Sequence, residues 1–240
     1  MPAILAVTLR LYRRYPLLFA ILALAVIAPY ELALLAITGY GPLRHNHESA
    51  GISWLLLLLR TSLITPLVSA LHVHAVVAID EGRRPRLRAV ALRGLKVLPV
   101  VAAAEVMASI GIFLGFVALI VPGILLSLRW AVVAQAAALD DEGWLAALRR
   151  SQRLTATHYG HVFGLLFVTA VLAWMVLLGV RAVPLGSTSG AASVAVGVAA
   201  DTVIASFVAL TLALLYFGLR AWANVPVRPE REYPHLHDLD

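Results

Sequence analysis

Six stretches of the chain, at 16 to 39, 52 to 79, 97 to 121, 123 to 139, 160 to 183 and 191 to 219, are long and apolar enough to cross a lipid bilayer. A hydrocarbon core about 30 Å thick takes roughly 20 mostly apolar residues per helix. Apolar residues make up 61% of the sequence and mean hydropathy is +0.90, against about 45–50% apolar in soluble domains, so water is not the main solvent of this fold. The expectation is an all-α polytopic membrane protein, with residues 1 to 225 forming one six-helix transmembrane domain. The fourth stretch is the shortest, and is expected to tilt little or to thin the bilayer locally.

Charge orients the spans. Arg10, Arg13 and Arg14 precede the first; Arg83, Arg84, Arg86, Arg88, Arg93 and Lys96 follow the second; Arg149, Arg150 and Arg153 follow the fourth; Arg220, Arg228 and Arg231 follow the sixth. These are 15 of the 19 basic residues, and the opposite loops hold only Arg44 and Arg181, so the positive-inside rule puts both termini in the cytoplasm. The net charge of +6 is thereby explained by topology, with no motif for nucleic acid. There is no cysteine, which excludes disulfides and thiolate chemistry. The first apolar stretch is longer than the 7–15 residues of a signal peptide, and five spans follow it, so it is expected to be retained. The tail 226 to 240, with three prolines and mixed charge, reads as disordered and cytoplasmic.

The spans group as three hairpins, each preceded by a basic amphipathic cytoplasmic helix. Asp80, Glu81, Gly82 recurs as Asp141, Glu142, Gly143, and each acidic-glycine turn opens a basic segment containing Ala-Leu-Arg, at 91 to 93 and 147 to 149. On a helical wheel, Leu87, Val90, Ala91, Leu95 and Leu98 oppose Arg86, Arg88, Arg93 and Lys96. Trp144, Leu148, Ser151 and Thr155 likewise oppose Arg149, Arg150 and Arg153, while Ile4, Val7, Leu11 and Tyr15 oppose Arg10 and Arg13. Helices of this kind lie at the membrane surface, where each basic side chain contributes on the order of 1 kcal/mol of attraction to an anionic leaflet. They serve either to connect and orient the spans or to sense lipid and dock a partner. Pro122 and Gly123 predict a tight turn between the third and fourth spans.

The run Val121, Pro122, Gly123, Ile124 through Arg129, Trp130, Ala131, followed by Ala147, Leu148, Arg149, Arg150, Ser151 and Arg153, Leu154, Thr155, resembles the signature of a bacterial membrane family. That family comprises the membrane domain attached to some glycerophosphoryl diester phosphodiesterases and related stand-alone six-helix proteins. The resemblance is specific over about 121 to 167, and Gln152 stands where the family usually carries an aromatic residue. It implies a six-helix architecture in a bacterial inner membrane. No catalytic barrel is present, so it implies no hydrolase activity.

Charged groups inside spans cost about 2.5–3.5 kcal/mol or more at a helix centre and need a partner or a wet cavity. Glu31, Arg60, Glu105, Arg129 and Asp201 are the five candidates. Counting about 1.5 Å per residue from the outer ends of their spans places Glu31 and Arg60 each about 12 Å deep, matched across the first hairpin. Glu105 and Arg129 fall about 12 and 16 Å from the cytoplasmic side, within reach across the second. Asp201 lies near the midplane with no partner in its own hairpin. These groups are either buried ion pairs that fix helix register or the lining of a polar cavity for an anionic headgroup or solute.

No metal site, cofactor or catalytic constellation is expected. His72 and His74, two apart on a helix, do not share a face; His45 and His47 lie in an outer loop with only Glu48 nearby. Gly111 with Gly115 and Gly160 with Gly164 allow close helix approach, within the chain or in a homo-oligomer. Trp130, Trp144 and Trp222 read as interface anchors. Two functions follow: a non-enzymatic membrane protein that organises or senses anionic lipid or anchors a cytoplasmic or membrane partner, and a small transporter of an anionic or amphiphilic solute.

Overall fold

The computed structural model describes residues 2–38, 56, 59–83, 85–140, 143–182 and 191–223, and the regular structure among them is entirely helical. The loops at 40 to 51 and 184 to 190, Asp141 and Glu142, and the tail 226 to 240 lie outside the described residues. Six helical segments are long and apolar enough to cross a membrane: Pro16–Ile37, Arg60–Asp80, Leu87–Ala118, Ile120–Leu139, Tyr159–Val180 and Val194–Trp222.

Helix α1 (Pro2–Arg14) passes through Tyr15 into α2 (Pro16–Thr38). A residue before proline is disfavoured in the helical region, so Pro16 bends the chain there. The amides of Tyr15 and Phe19 still reach the carbonyls of Leu11 and Tyr15, at 3.0 and 3.3 Å. Within the second span, helical Leu59 leads into a π-helical turn, Arg60–Ile64, which continues as α3 (Thr65–Asp80). Pro66 has no amide for the carbonyl of Ser62 and its ring crowds that carbonyl. The helix widens at this point, and the Thr65 amide closes a longer turn onto the carbonyl of Arg60.

Three features depart from the sequence expectation. The basic segment 87 to 98 is not a separate surface helix: α4 (Leu87–Ala118) runs unbroken for 32 residues, with Pro99 inside it. Along its first turns Val90 and Gly94 are buried while Leu87 and Leu95 are exposed, so the inward face is narrower than the apolar wheel face. The turn after α4 is a single extended residue, Leu119 (φ −165°, ψ 153°). Pro122 and Gly123 fall instead in the first turn of α5 (Ile120–Arg129), where proline's missing amide would have had no helical partner. The fourth span is interrupted: α5 ends at Arg129, residues 130–132 form a turn, and α6 (Val133–Leu139) completes the crossing.

After a turn through Gly143, α7 (Trp144–Thr155) leads to α8 (Tyr159–Ala182), and α9 (Ala191–Trp222) closes the fold. Gly82 and Gly143, the repeated acidic-turn glycines, both adopt positive φ, 66° and 84°, a conformation glycine takes without steric cost.

Helices α3 and α9 are central. Helix α9 packs on α1, α2, α3 and α8; α3 also packs on α2, α4 and α6. Every residue of α6 is buried. The main core joins the end of α3, α6, the inner face of α7 and the last turns of α9. Helix α8 and the ends of α4 and α5 that meet at Leu119 present Phe113, Leu114, Val121, Phe167 and Trp174 outward, the surface a bilayer would cover. Gly111 and Gly115 are used within the chain: a methyl group on Gly111 would strike the Trp130 ring, and one on Gly115 would lie 3.0 Å from the Gly123 Cα. Trp130 is therefore a packing residue at the break in the fourth span rather than an interface anchor.

Candidate functional site

The first charged cluster joins three elements inside the spans. Arg60, at the start of the π-helical turn, directs Nη2 to both carboxylate oxygens of Asp201 on α9, at 2.5 and 2.7 Å. Its Nη1 stands 3.5 Å from Glu31 Oε1 on α2. Glu31 is 1% exposed, and neither of its oxygens accepts a hydrogen bond. The geometry thus brings Glu31, Arg60 and Asp201 together, with Asp201 as the stronger partner. Counting depth within a pair of consecutive spans does not match Asp201 to Arg60, because the contact joins the second and sixth apolar segments.

Glu105 and Arg129 do not pair. Arg129 Nε donates to the Tyr159 hydroxyl at 3.1 Å, at the start of α8. Depth counting placed the two at similar levels but did not include the break after Arg129, which changes the direction of the chain. Among the described residues Glu105 has no hydrogen-bond or ion-pair partner; its helix packs beside the π-helical turn.

The break in the fourth span is held by α7. Ser151 Oγ donates to the Arg129 carbonyl at 2.9 Å and accepts the Val132 amide at 3.4 Å. Thr155 Oγ1 reaches the same carbonyl at 3.2 Å. Both hydroxyl residues are fully buried, so backbone freed by the interruption is satisfied from within the protein, as apolar surroundings require. Their positions were visible as two polar residues on the apolar face of the 144 to 155 wheel. Arg149 and Arg153 are exposed on the opposite face, as are Arg10, Arg13 and Arg14 on α1.

At the basic end, Asp140 terminates α6 and organises its neighbours. Tyr216 Oη donates to its Oδ2 at 3.1 Å; Arg150 Nε and Arg220 Nη1 stand 3.8 and 3.9 Å from its two oxygens. Beside it two cavities open, of about 480 and 460 Å³. They share His74, Arg83 and Arg93 as lining; Lys96 belongs to the first, together with the carboxylates of Glu81 and Asp140, and Arg86 to the second. Arg83 pairs with Glu81. Among the described residues no carboxylate lies within ion-pair distance of Arg86, Arg93 or Lys96. Arg88, on the same helix, lines neither cavity.

His72 is fully buried and acts as a polar link between α3 and α9. Its Nδ1 donates to the Val68 carbonyl at 2.8 Å, which leaves Nε2 to accept the Ser206 hydroxyl at 2.8 Å. His158 stacks on Trp222, with centroids 4.9 Å apart, and His161 meets the same ring edge-on. No group of three metal-ligating side chains occurs among the described residues; His45, His47, Glu48, His235 and His237 lie outside them. Comparison with known proteins returns no match to a family model, a curated protein or a solved structure.

Proposed function

We propose that this chain is a non-enzymatic integral membrane protein that senses or organises anionic lipid, or anchors a partner, at its cytoplasmic face. The observation that carries the reading is the pair of adjoining cavities to which Arg86, Arg93 and Lys96 contribute charge with no carboxylate partner among the described residues. Arg86 sits at the start of α4, whose first turn has no acidic residue and no side-chain cap. Positive side chains at the positive end of a helix dipole repel it, and a bound anion relieves that repulsion. Arg60, the cation of the cluster inside the spans, already faces Asp201 and Glu31, so binding of an anion falls to the basic end.

The reading includes a bacterial inner-membrane location with both termini inside, on the charge asymmetry of the loops. It also includes three hairpins, α2 with α3, α4 with α5 and α6, and α8 with α9, each entered through a basic segment. The family resemblance enters as architecture alone.

The test is lipid retention by the purified full chain in native mass spectrometry. Phosphatidylglycerol should be retained over phosphatidylcholine, and Arg86→Ala, Arg93→Ala and Lys96→Ala combined should abolish the preference. Equal retention of the two lipids in the unsubstituted protein would overturn the reading.

A transporter of an anionic or amphiphilic solute is the second reading, favoured by the interruption of the fourth span, since discontinuous helices mark many transporter sites. Here the interrupted backbone is taken up by Ser151 and Thr155, which leaves less of it for a solute.

A further inference from the structure

Resting on the lipid reading above, we infer that the basic end takes a lipid with two phosphodiester groups, one in each cavity. Three features lead there. The cavities are separate volumes of similar size, about 480 and 460 Å³, each within the 300–1,000 Å³ range of small-molecule sites. They meet at a common wall that includes Arg83 and Arg93, and each adds one basic residue of its own, Lys96 to the first and Arg86 to the second. A ligand with a single phosphate leaves one of those two cations without an ion-pair partner among the described residues, whereas two phosphates joined by a short linker give each cavity one. Glu81 is paired with Arg83, and Asp140 stands between Arg150 and Arg220, so the three cations with no carboxylate partner among the described residues meet two singly charged diesters.

The lipid character follows from the flank of the same helix. Leu92 and Leu95 are 59% and 54% exposed on turns that also carry Arg93 and Lys96. Acyl chains have an apolar surface to lie on beside the charged lobes. Basic pockets between helices at the cytoplasmic side are suited to such headgroups. A directly linked diphosphate would place both charges in one lobe, and the intervening Arg83 and Arg93 side chains argue for the spaced pair.

The experiment uses the delipidated full-length protein in detergent, titrated with diphosphatidylglycerol, with phosphatidylglycerol at matched phosphate concentration, and with inorganic pyrophosphate. Native mass spectrometry reads stoichiometry and thermal unfolding reads affinity. Diphosphatidylglycerol should bind one per chain and more tightly than phosphatidylglycerol. Lys96→Ala and Arg86→Ala should each weaken it about fivefold, the equivalent of about 1 kcal/mol per basic contact, and should narrow its advantage over the single-phosphate lipid. Arg149→Ala, on the exposed face of α7, should leave it unchanged. Equal affinities at matched phosphate overturn the two-lobe inference while leaving the lipid reading in place. Failure of every anionic lipid overturns both. Displacement of the lipid by pyrophosphate at similar concentration overturns the spaced pair in favour of a directly linked diphosphate.

Discussion

Replacing Arg60 by methionine removes the one cation that two carboxylates share. The structure sets the scale. Asp201 loses contacts of 2.5 and 2.7 Å, and Glu31 loses its nearest positive charge at 3.5 Å while remaining 1% exposed. Breaking a buried pair from one side costs about 3–5 kcal/mol, because the abandoned charge stays behind. The side chains of Arg60 and Asp201 are 34% and 19% exposed, which points to the low end, about 3 kcal/mol. Neutralising all three groups together, Glu31→Gln, Arg60→Met and Asp201→Asn, strands no charge and should cost less than the single Arg60→Met change. Unfolding of the purified protein in mixed micelles, titrated with dodecyl sulfate and followed by tryptophan fluorescence, gives both differences. If Arg60→Met leaves stability unchanged, or the triple variant is as unstable as the single one, the cluster is not an ion-paired joint and the reasoning fails.

Other consequences can be checked in the same preparation. Ser151→Ala with Thr155→Val should cost about 1–2 kcal/mol, roughly 1 kcal/mol for the Ser151 bond to the Arg129 carbonyl and less for Thr155, whose one proton is shared with the Ser151 carbonyl at 3.0 Å, and should speed tryptic cleavage at Arg149 and Arg153; unchanged cleavage would detach α7 from the break. Gln135 is fully buried in α6 and neither atom of its amide has a partner, so Gln135→Leu should stabilise the fold by about 1 kcal/mol. A lower melting temperature for that variant would mean the amide has a role that packing does not reveal. Because the chain lacks cysteine, single-cysteine variants report topology directly: Arg149→Cys should react with impermeant thiol reagent only after the cell is opened, and Ser187→Cys in intact spheroplasts. The reverse pattern would invert the orientation.

The six spans were legible because an apolar run of bilayer length has few other uses. Depth counting also puts Glu31 level with Arg60, since both lie on consecutive apolar segments and about 1.5 Å per residue measures height well. Height is all it measures. Asp201 reaches Arg60 from the sixth apolar segment, and Arg129 meets Tyr159 rather than Glu105, because the azimuth of a helix and the place of a break depend on neighbours distant in sequence. The interruption at residues 130–132 has no proline or glycine within it to announce it. Its trace in the sequence was Ser151 and Thr155, one turn apart on an otherwise apolar helical face. The continuity of α4 was hidden for another reason: basic residues up to Lys96 mark where water and headgroups begin, not where a helix ends.

Arg60 and Asp201 are 141 positions apart in the chain, and that separation bears on how the protein is made. At about 5–20 residues per second, roughly 7–28 s of synthesis separate the two. During that interval α2 and α3 exist without α9, and Glu31 is the carboxylate beside Arg60. Arrival of the last helix supplies a better anion and completes the contacts of α9 with α1, α2 and α3. The joint between α9 and the earlier helices can therefore close only once Asp201 has been made, and until then Glu31 is the carboxylate that faces the Arg60 guanidinium.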